Sequence, residues 1–224
     1  MTLLSAALSK AIPGGVTRYR KVKFGISKGC YLPVDLTRQV RLLLGVYEVE
    51  IAARFLSWVS SDSCCYDVGA SEGYYTLAFA RLAPEGTVYA LEMREQACET
   101  LRETLTRNAT MERRVRVLNC TAGRYADEGR GVASIDDLVF KKRLNPPDIV
   151  KMDIEGAEGD VLEGSAEVLK QYHPYLIVET HSLNVQRRCI ELLRTLDYDV
   201  EVIKRNRIML ENRPMEHNEW VCAS

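Results

Sequence analysis

Two groups of residues in this chain combine types and spacings that could do chemistry. The first is Asp67-Val68-Gly69-Ala70-Ser71-Glu72-Gly73, set between a short apolar run and a helical pattern. Gly69 allows a tight turn and lets a ligand approach with no Cβ in the way. Gly73 permits close packing where the helix begins, and the free N–H groups there favour an anion such as a carboxylate. A dinucleotide fingerprint needs a middle glycine to make room for pyrophosphate; Ser71 stands in that place. The D-x-G-x-x-x-G order, with Asp67 ahead of the first glycine, is instead the pattern expected for S-adenosylmethionine. Glu92 ends the next apolar run, about 25 residues beyond Asp67. A carboxylate there can accept both ribose hydroxyls, as the equivalent acid does in dinucleotide sites. Met93 is expected against an adenine ring, with Asn119-Cys120-Thr121-Ala122 as a further wall.

The second group is Asp153, Glu155, Glu179 and His181, which follow two later apolar runs. Transfer of a methyl group from S-adenosylmethionine needs an aligned acceptor and a way to remove the acceptor's proton. Asp153 is the first choice for a polar role at the reaction centre. His181 is the best general base by type, since an unperturbed imidazole titrates near neutral pH; its alternative is a structural histidine. Glu155 is a further catalytic candidate, although it and Glu158 could instead stabilise the N-terminus of a helix starting near Gly156. For Glu158 that structural role is the expected one. Lys151 is expected to pair with a neighbouring carboxylate. Asp153, Glu179 and His181 together would suit magnesium or manganese, but nothing in the sequence demands an ion and none is expected. Asn145-Pro146-Pro147-Asp148 is similar to the N-P-P-Y motif of amino-group methyltransferases. It precedes its strand rather than following it and lacks the aromatic residue, so the prolines are read as shaping a loop.

These residues need elements that hold them. From Cys64 onward short apolar runs alternate with amphipathic helical patterns. Strands are expected at 64–68, 87–91, 115–118, 148–152 and 175–178, and helices at 74–82, 95–108, 157–172 and 185–196. The tail offers a strand at 198–203, then one at 207–210 or at 220–222. This alternation implies an α/β fold, a mostly parallel seven-stranded sheet with helices on both faces. Two final strands with no helix between them imply an antiparallel ending, which suits a Rossmann-like class I methyltransferase fold. Residues 1 to about 34 read as irregular. Asp35 is expected to cap a helix carrying Val40, Leu43, Leu44 and Tyr47, and a second helix is expected over 48–59.

Several of these segments resemble the FkbM family of S-adenosylmethionine-dependent methyltransferases. Gly45-Val46-Tyr47-Glu48 is similar to its G-x-Y-E segment, and Asp67-Val68-Gly69-Ala70 with Gly73-Tyr74-Tyr75-Thr76 to its D-V-G-A-x-x-G-Y-Y-T stretch. Glu72 departs from the small or apolar residue often found there. Ser134-Ile135-Asp136-Asp137-Leu138 and Lys151-Met152-Asp153-Ile154-Glu155-Gly156-Ala157-Glu158 complete the set. The resemblance covers roughly residues 45 to 203. It implies methyl transfer to a hydroxyl of a sugar, glycan or secondary metabolite, and it adds Glu48, Ala70, Tyr74 and Asp136 to the expected cofactor-binding positions. The methyltransferase domain is accordingly drawn over 45–224. Residues 1–44 form an N-terminal segment, partly helical, that could shape the acceptor site or a homodimer contact.

The bulk composition agrees with an enzyme of this kind. The 224 residues carry 30 Lys and Arg against 31 Asp and Glu, a net charge of −1. That balance offers no general attraction to phosphate backbones or anionic membranes, so neither a nucleic-acid nor a membrane partner is expected. The mildly apolar start lacks the pattern of a signal peptide and no run is long enough to span a bilayer, which points to the cytoplasm. Seven cysteines without a C-x-x-C pair suggest buried thiols. The competing functional readings are a cofactor-binding module that works through a partner without catalysis, and a nucleic-acid methyltransferase.

Overall fold

A computed structural model describes residues 15–205 and 219–224. Seven strands form the central sheet: β3 (Cys64–Val68), β4 (Thr87–Glu92), β5 (Val115–Asn119), β8 (Ile149–Met152), β9 (Tyr175–Thr180), β10 (Val200–Ile203) and β11 (Glu219–Ala223). A hairpin of β1 (Thr17–Lys21) and β2 (Tyr31–Asp35) precedes it, and the short β6 (Thr121–Ala122) and β7 (Val132–Ala133) pair beside it. The sheet order is β10-β11-β9-β8-β3-β4-β5. The pairs β5–β4, β4–β3, β3–β8 and β8–β9 are parallel, whereas β11 runs antiparallel to both β9 and β10.

The antiparallel strand is the last in the chain but not the last in the sheet. It slides between β9 and β10 through backbone pairs such as Val221 with Val178 and Val202. The expected strand at 220–222 is therefore observed, while its alternative at 207–210 lies outside the described residues. The inner strands β3 and β8 are buried along their whole length, as a sheet covered on both faces requires. Two apolar clusters follow, one on each face: Phe55, Leu77, Phe79 and Leu101 on one side, Tyr66, Leu138, Val161 and Leu193 on the other.

Near the N-terminus the sequence reading needs correction. Residues 17–21 and 31–35 are not irregular but paired, with Tyr19 opposite Pro33. Val22, Ile26, Cys30, Leu32 and Val34 are buried in the cluster that holds Phe55 and Leu77. Apolar contact with the helix face and with Leu101 supplied what the local pattern could not show. The helix near Asp35 is also shorter than expected, Val40–Leu44, because Gly45 leaves it in a left-handed conformation before Tyr47 is reached. All seven cysteines are free, and six of them are buried.

Candidate active site

The chain passes from β3 outward through β4 to β5 and then returns to the other side of β3 at β8. Loops leaving the carboxyl ends of β3 and β8 therefore diverge, and such a reversal is where open α/β sheets bind ligands. A cavity of about 540 Å³ opens there, within the range of small-molecule pockets. Its walls include Val68, Gly69 and Ser71 after β3, Leu91, Glu92, Met93 and Arg94 at β4, Cys120, Thr121 and Ala122 after β5, and Asp153, Ile154, Glu155 and Ala157 after β8.

The glycine turn is tightly bound to its neighbours. The N–H groups of Gly69 and Ala70 both donate to the Leu91 carbonyl, at 2.9 and 3.0 Å, and the Asp153 N–H donates to the Val68 carbonyl at 2.9 Å. Gly69 has a φ of +86°, and a Cβ there would lie 1.9 Å from the Asp153 carbonyl oxygen. Gly73 also has a positive φ, and a Cβ on it would meet Leu101 at 2.4 Å. Close packing at the helix start, argued from sequence, is thus visible as a contact.

Glu92 is buried, with its carboxylate held from two sides. Ser71 N–H donates to Oε2 at 2.9 Å, while Arg94 donates to Oε1 from its N–H at 2.8 Å and from Nε at 3.1 Å. Arg94 also reaches Ser71 Oγ at 3.1 Å. A carboxylate has about four acceptor positions, so one, on Oε2, remains for a ribose hydroxyl. Met93 is 65% exposed on the cavity wall, the placement an apolar face for adenine needs. Asn119 is not in the wall; its Nδ2 donates to the Glu92 and Met93 carbonyls and holds that loop in place.

Other expected cofactor positions lie behind the cavity. Asp67 is buried, accepts a 2.5 Å hydrogen bond from Thr76 Oγ1, and is pushed up to about 6 by burial. Ala70 is buried in the turn. Tyr74 packs edge-on against Tyr47 at 5.2 Å, and its carbonyl accepts from Ser27 Oγ. Glu48, buried beneath the same aromatic group, accepts from Tyr75 Oη. Asp136 caps the helix Ala166–Tyr172, accepting from the N–H groups of Glu167 and Val168 at 3.2 and 2.9 Å. None of these five lines the cavity.

Asp153 and Glu155 do line it, and Asp153 leads to a buried charged network. Lys151 Nζ lies 3.3 Å from Asp153 Oδ2 and 3.5 Å from Glu179 Oε2, and over the Tyr75 ring at 4.5 Å. Burial opposes the charge on Lys151, but Asp153, Glu179 and Glu48 hold its pKa above the ordinary value. Burial likewise opposes the Asp153 charge, and Lys151 and His181 together keep that acid below its usual range. His181 sits just behind Asp153, with Nε2 at 3.4 Å from Asp153 Oδ1 and 4.0 Å from Glu179 Oε1. Its Nδ1 meets Glu158 Oε1 at 2.8 Å. Burial works against the imidazolium, whereas Glu158, Asp153 and Glu179 favour it, and the balance lies above the ordinary value.

One atom each from Asp153, Glu179 and His181 falls within 4.8 Å of the others. The chain's own Lys151 also supplies positive charge to both carboxylates, at 3.3 Å from Asp153 and 3.5 Å from Glu179. Two members of the site were not anticipated. Arg94 had no sequence signal beyond its nearness to Glu92. The Glu158–His181 contact joins residues 23 positions apart on different elements.

Fold, sheet order and cavity define the architecture of the Rossmann-like methyltransferases that use S-adenosylmethionine. Within it, residues 130–210 match the family model of the Methyltransferase FkbM domain, so the resemblance read from the sequence holds over that stretch. No curated protein matches the sequence. Among solved structures, the chain is similar to a methyltransferase FkbM from Methylobacillus flagellatus (TM-score 0.57, 21% identity), the match covering 74% of this chain and 44% of that one. A SAM-dependent O-methyltransferase from Thermotoga maritima matches with TM-score 0.57 and 18% identity over 80% of this chain and 65% of that one. An rRNA methylase from Streptococcus thermophilus matches with TM-score 0.53 and 16% identity, over 79% and 96%. The chain thus spans less than half the length of the Methylobacillus protein. Among the described residues no helix is long and apolar enough to cross a membrane.

Proposed function

We propose that this protein is an S-adenosylmethionine-dependent methyltransferase acting on a hydroxyl of a small molecule or glycan. The observation that carries the reading is the cavity at the strand-order reversal, with Glu92 on one wall and Asp153 on the other. S-adenosylmethionine, when bound, supplies an electrophilic methyl group on a sulfonium. Glu92 would accept from the ribose and Met93 would pack against the base, both from the cavity wall. Asp153 orients the acceptor hydroxyl, and His181 behind it takes the proton. Glu155 stands at the cavity wall beside them.

A nucleic-acid acceptor is the second reading, supported by the likeness to an rRNA methylase. The net charge of −1 argues against it, since phosphate contacts dominate such binding. Salt-sensitive binding to RNA would move the assignment to that class.

The test is thermal unfolding with S-adenosylhomocysteine, with NADH as control. A ligand at 100 times its Kd stabilises by about 2.7 kcal/mol, which is about 5 to 10 °C at this chain length. The expected result is a shift with S-adenosylhomocysteine alone, lost in Glu92→Ala. No shift at millimolar ligand would overturn the cofactor assignment. A shift without methyl transfer to any acceptor would favour the non-catalytic module.

A further inference from the structure

Glu158 has a place in the site that helix-end stabilisation does not account for. It opens the helix Glu158–Glu163, and its side chain is fully buried. Oε1 accepts from the Gly156 N–H at 3.1 Å and also meets His181 Nδ1 at 2.8 Å. A carboxylate can only accept, so Nδ1 must carry the hydrogen. An unconstrained neutral imidazole prefers its proton on Nε2, and Glu158 reverses that preference. In the neutral ring Nε2 is then the proton-accepting atom; it lies 3.4 Å from Oδ1 of Asp153, a wall residue of the cavity, and in the imidazolium it carries the hydrogen that faces that carboxylate.

We infer that Glu158 is a positioning residue that acts through His181, fixing the Nδ1–H tautomer and the ring rotation so that Nε2 faces the reaction centre. The same logic orients bases in catalytic triads: a buried carboxylate on one ring nitrogen holds the other at the reacting proton. The destination of that proton rests on the methyltransferase reading; the tautomer does not. The charged groups facing the ring come from three elements. They are Glu158 on its helix, Asp153 after β8 and Glu179 on β9, with Lys151 behind the last two. Arg188, on the next helix, is engaged instead by Asp160 and Glu163 at 2.6 Å each.

The test is ¹⁵N NMR of the imidazoles across pH, which is tractable because the chain has only 3 histidines. The His181 signal is assigned by its loss in His181→Asn. The wild-type protein is expected to show the Nδ1–H tautomer when neutral, with a titration midpoint above the unperturbed value of about 6.5. Glu158→Gln keeps an acceptor but removes the charge, so it should retain the tautomer and lower the midpoint. Glu158→Ala should lower the midpoint and move the proton to Nε2. A wild-type Nε2–H tautomer overturns the inference without any variant having to fold. So does an unchanged tautomer and midpoint in both variants with native circular dichroism. S-adenosylhomocysteine binding is measured alongside and should be equal in all three proteins. Its absence from the wild type would remove the methyltransferase reading while leaving the tautomer result to stand or fall separately.

Discussion

At the scale of single residues, the most demanding position is Gly69. Its φ of +86° lies in the left-handed region, and the space a Cβ would take is held by the Asp153 carbonyl at 1.9 Å. Backbone strain of this kind costs about 1 to 3 kcal/mol, and the overlap would push the β3 and β8 loops apart. Gly69→Ala is therefore expected to lower stability by at least that amount in denaturant unfolding. It should also weaken S-adenosylhomocysteine binding, because both displaced loops contribute residues to the cavity wall. Wild-type affinity in a folded Gly69→Ala protein would show that the wall spacing is not critical. Asp67 looked equally exposed to ligand in the sequence motif. In the fold it is a buried acid bonded to Thr76, supporting the turn from beneath. Sequence order alone could not distinguish these, since both residues flank the same turn.

Elements show why some motif residues serve architecture. Ser134 caps the helix Ile135–Phe140 by accepting from the Asp137 N–H at 3.1 Å, while Asp136, two residues on, accepts from the first turn of the helix Ala166–Tyr172. The S-I-D-D-L segment thus secures two helix starts at once. Loss of a cap costs about 1 kcal/mol, so Asp136→Ala should unfold earlier by about that amount. Its affinity for S-adenosylhomocysteine should stay at the wild-type value; a large loss of affinity would return Asp136 to the cofactor site. The strands behave differently. β3 and β8 are short apolar runs of four or five residues in which Asp67 and Lys151 are the intruding charges. Each is stabilised by partners outside its own strand, Thr76 for one and Asp153 and Glu179 for the other.

For the whole molecule, the buried titrating groups combine into a pH dependence of stability. Asp67, raised by burial to about 6 from 3.8, keeps its proton in the folded state where the unfolded chain has lost it. His181, raised above 6.5 by its carboxylate neighbours against the effect of burial, does the same at higher pH. Both groups contribute stability that is complete below their unfolded values and disappears as pH rises through the folded ones. Asp153 has the opposite sign, but it acts only as pH falls below 3.8. The folded state therefore binds more protons than the unfolded state from about pH 4 upward until His181 has titrated, and stability falls as pH rises across that range. The melting temperature should be higher at pH 6 than at pH 8 in matched ionic strength, and the reverse order would contradict these assignments.

The sequence by itself determined the alternation of strands and helices, the glycine turn, the acid at the end of β4 and the antiparallel close of the sheet. Each of these is written in local periodicity or in a short motif, where hydrophobic spacing and backbone freedom act over a few residues. Only the tertiary structure decided which motif residues face the cavity. Glu92, Met93, Asp153 and Glu155 line it, whereas Asp67, Tyr74, Glu48 and Asp136 pack or cap behind it. It also decided that residues 17–35 form a hairpin on the core and that Glu158 meets His181. The reason is common to all three. A hairpin held by contact with a distant helix, a side chain turned to one face of a loop, and a carboxylate–imidazole contact between two elements all depend on three-dimensional packing. Separation along the chain carries no trace of it.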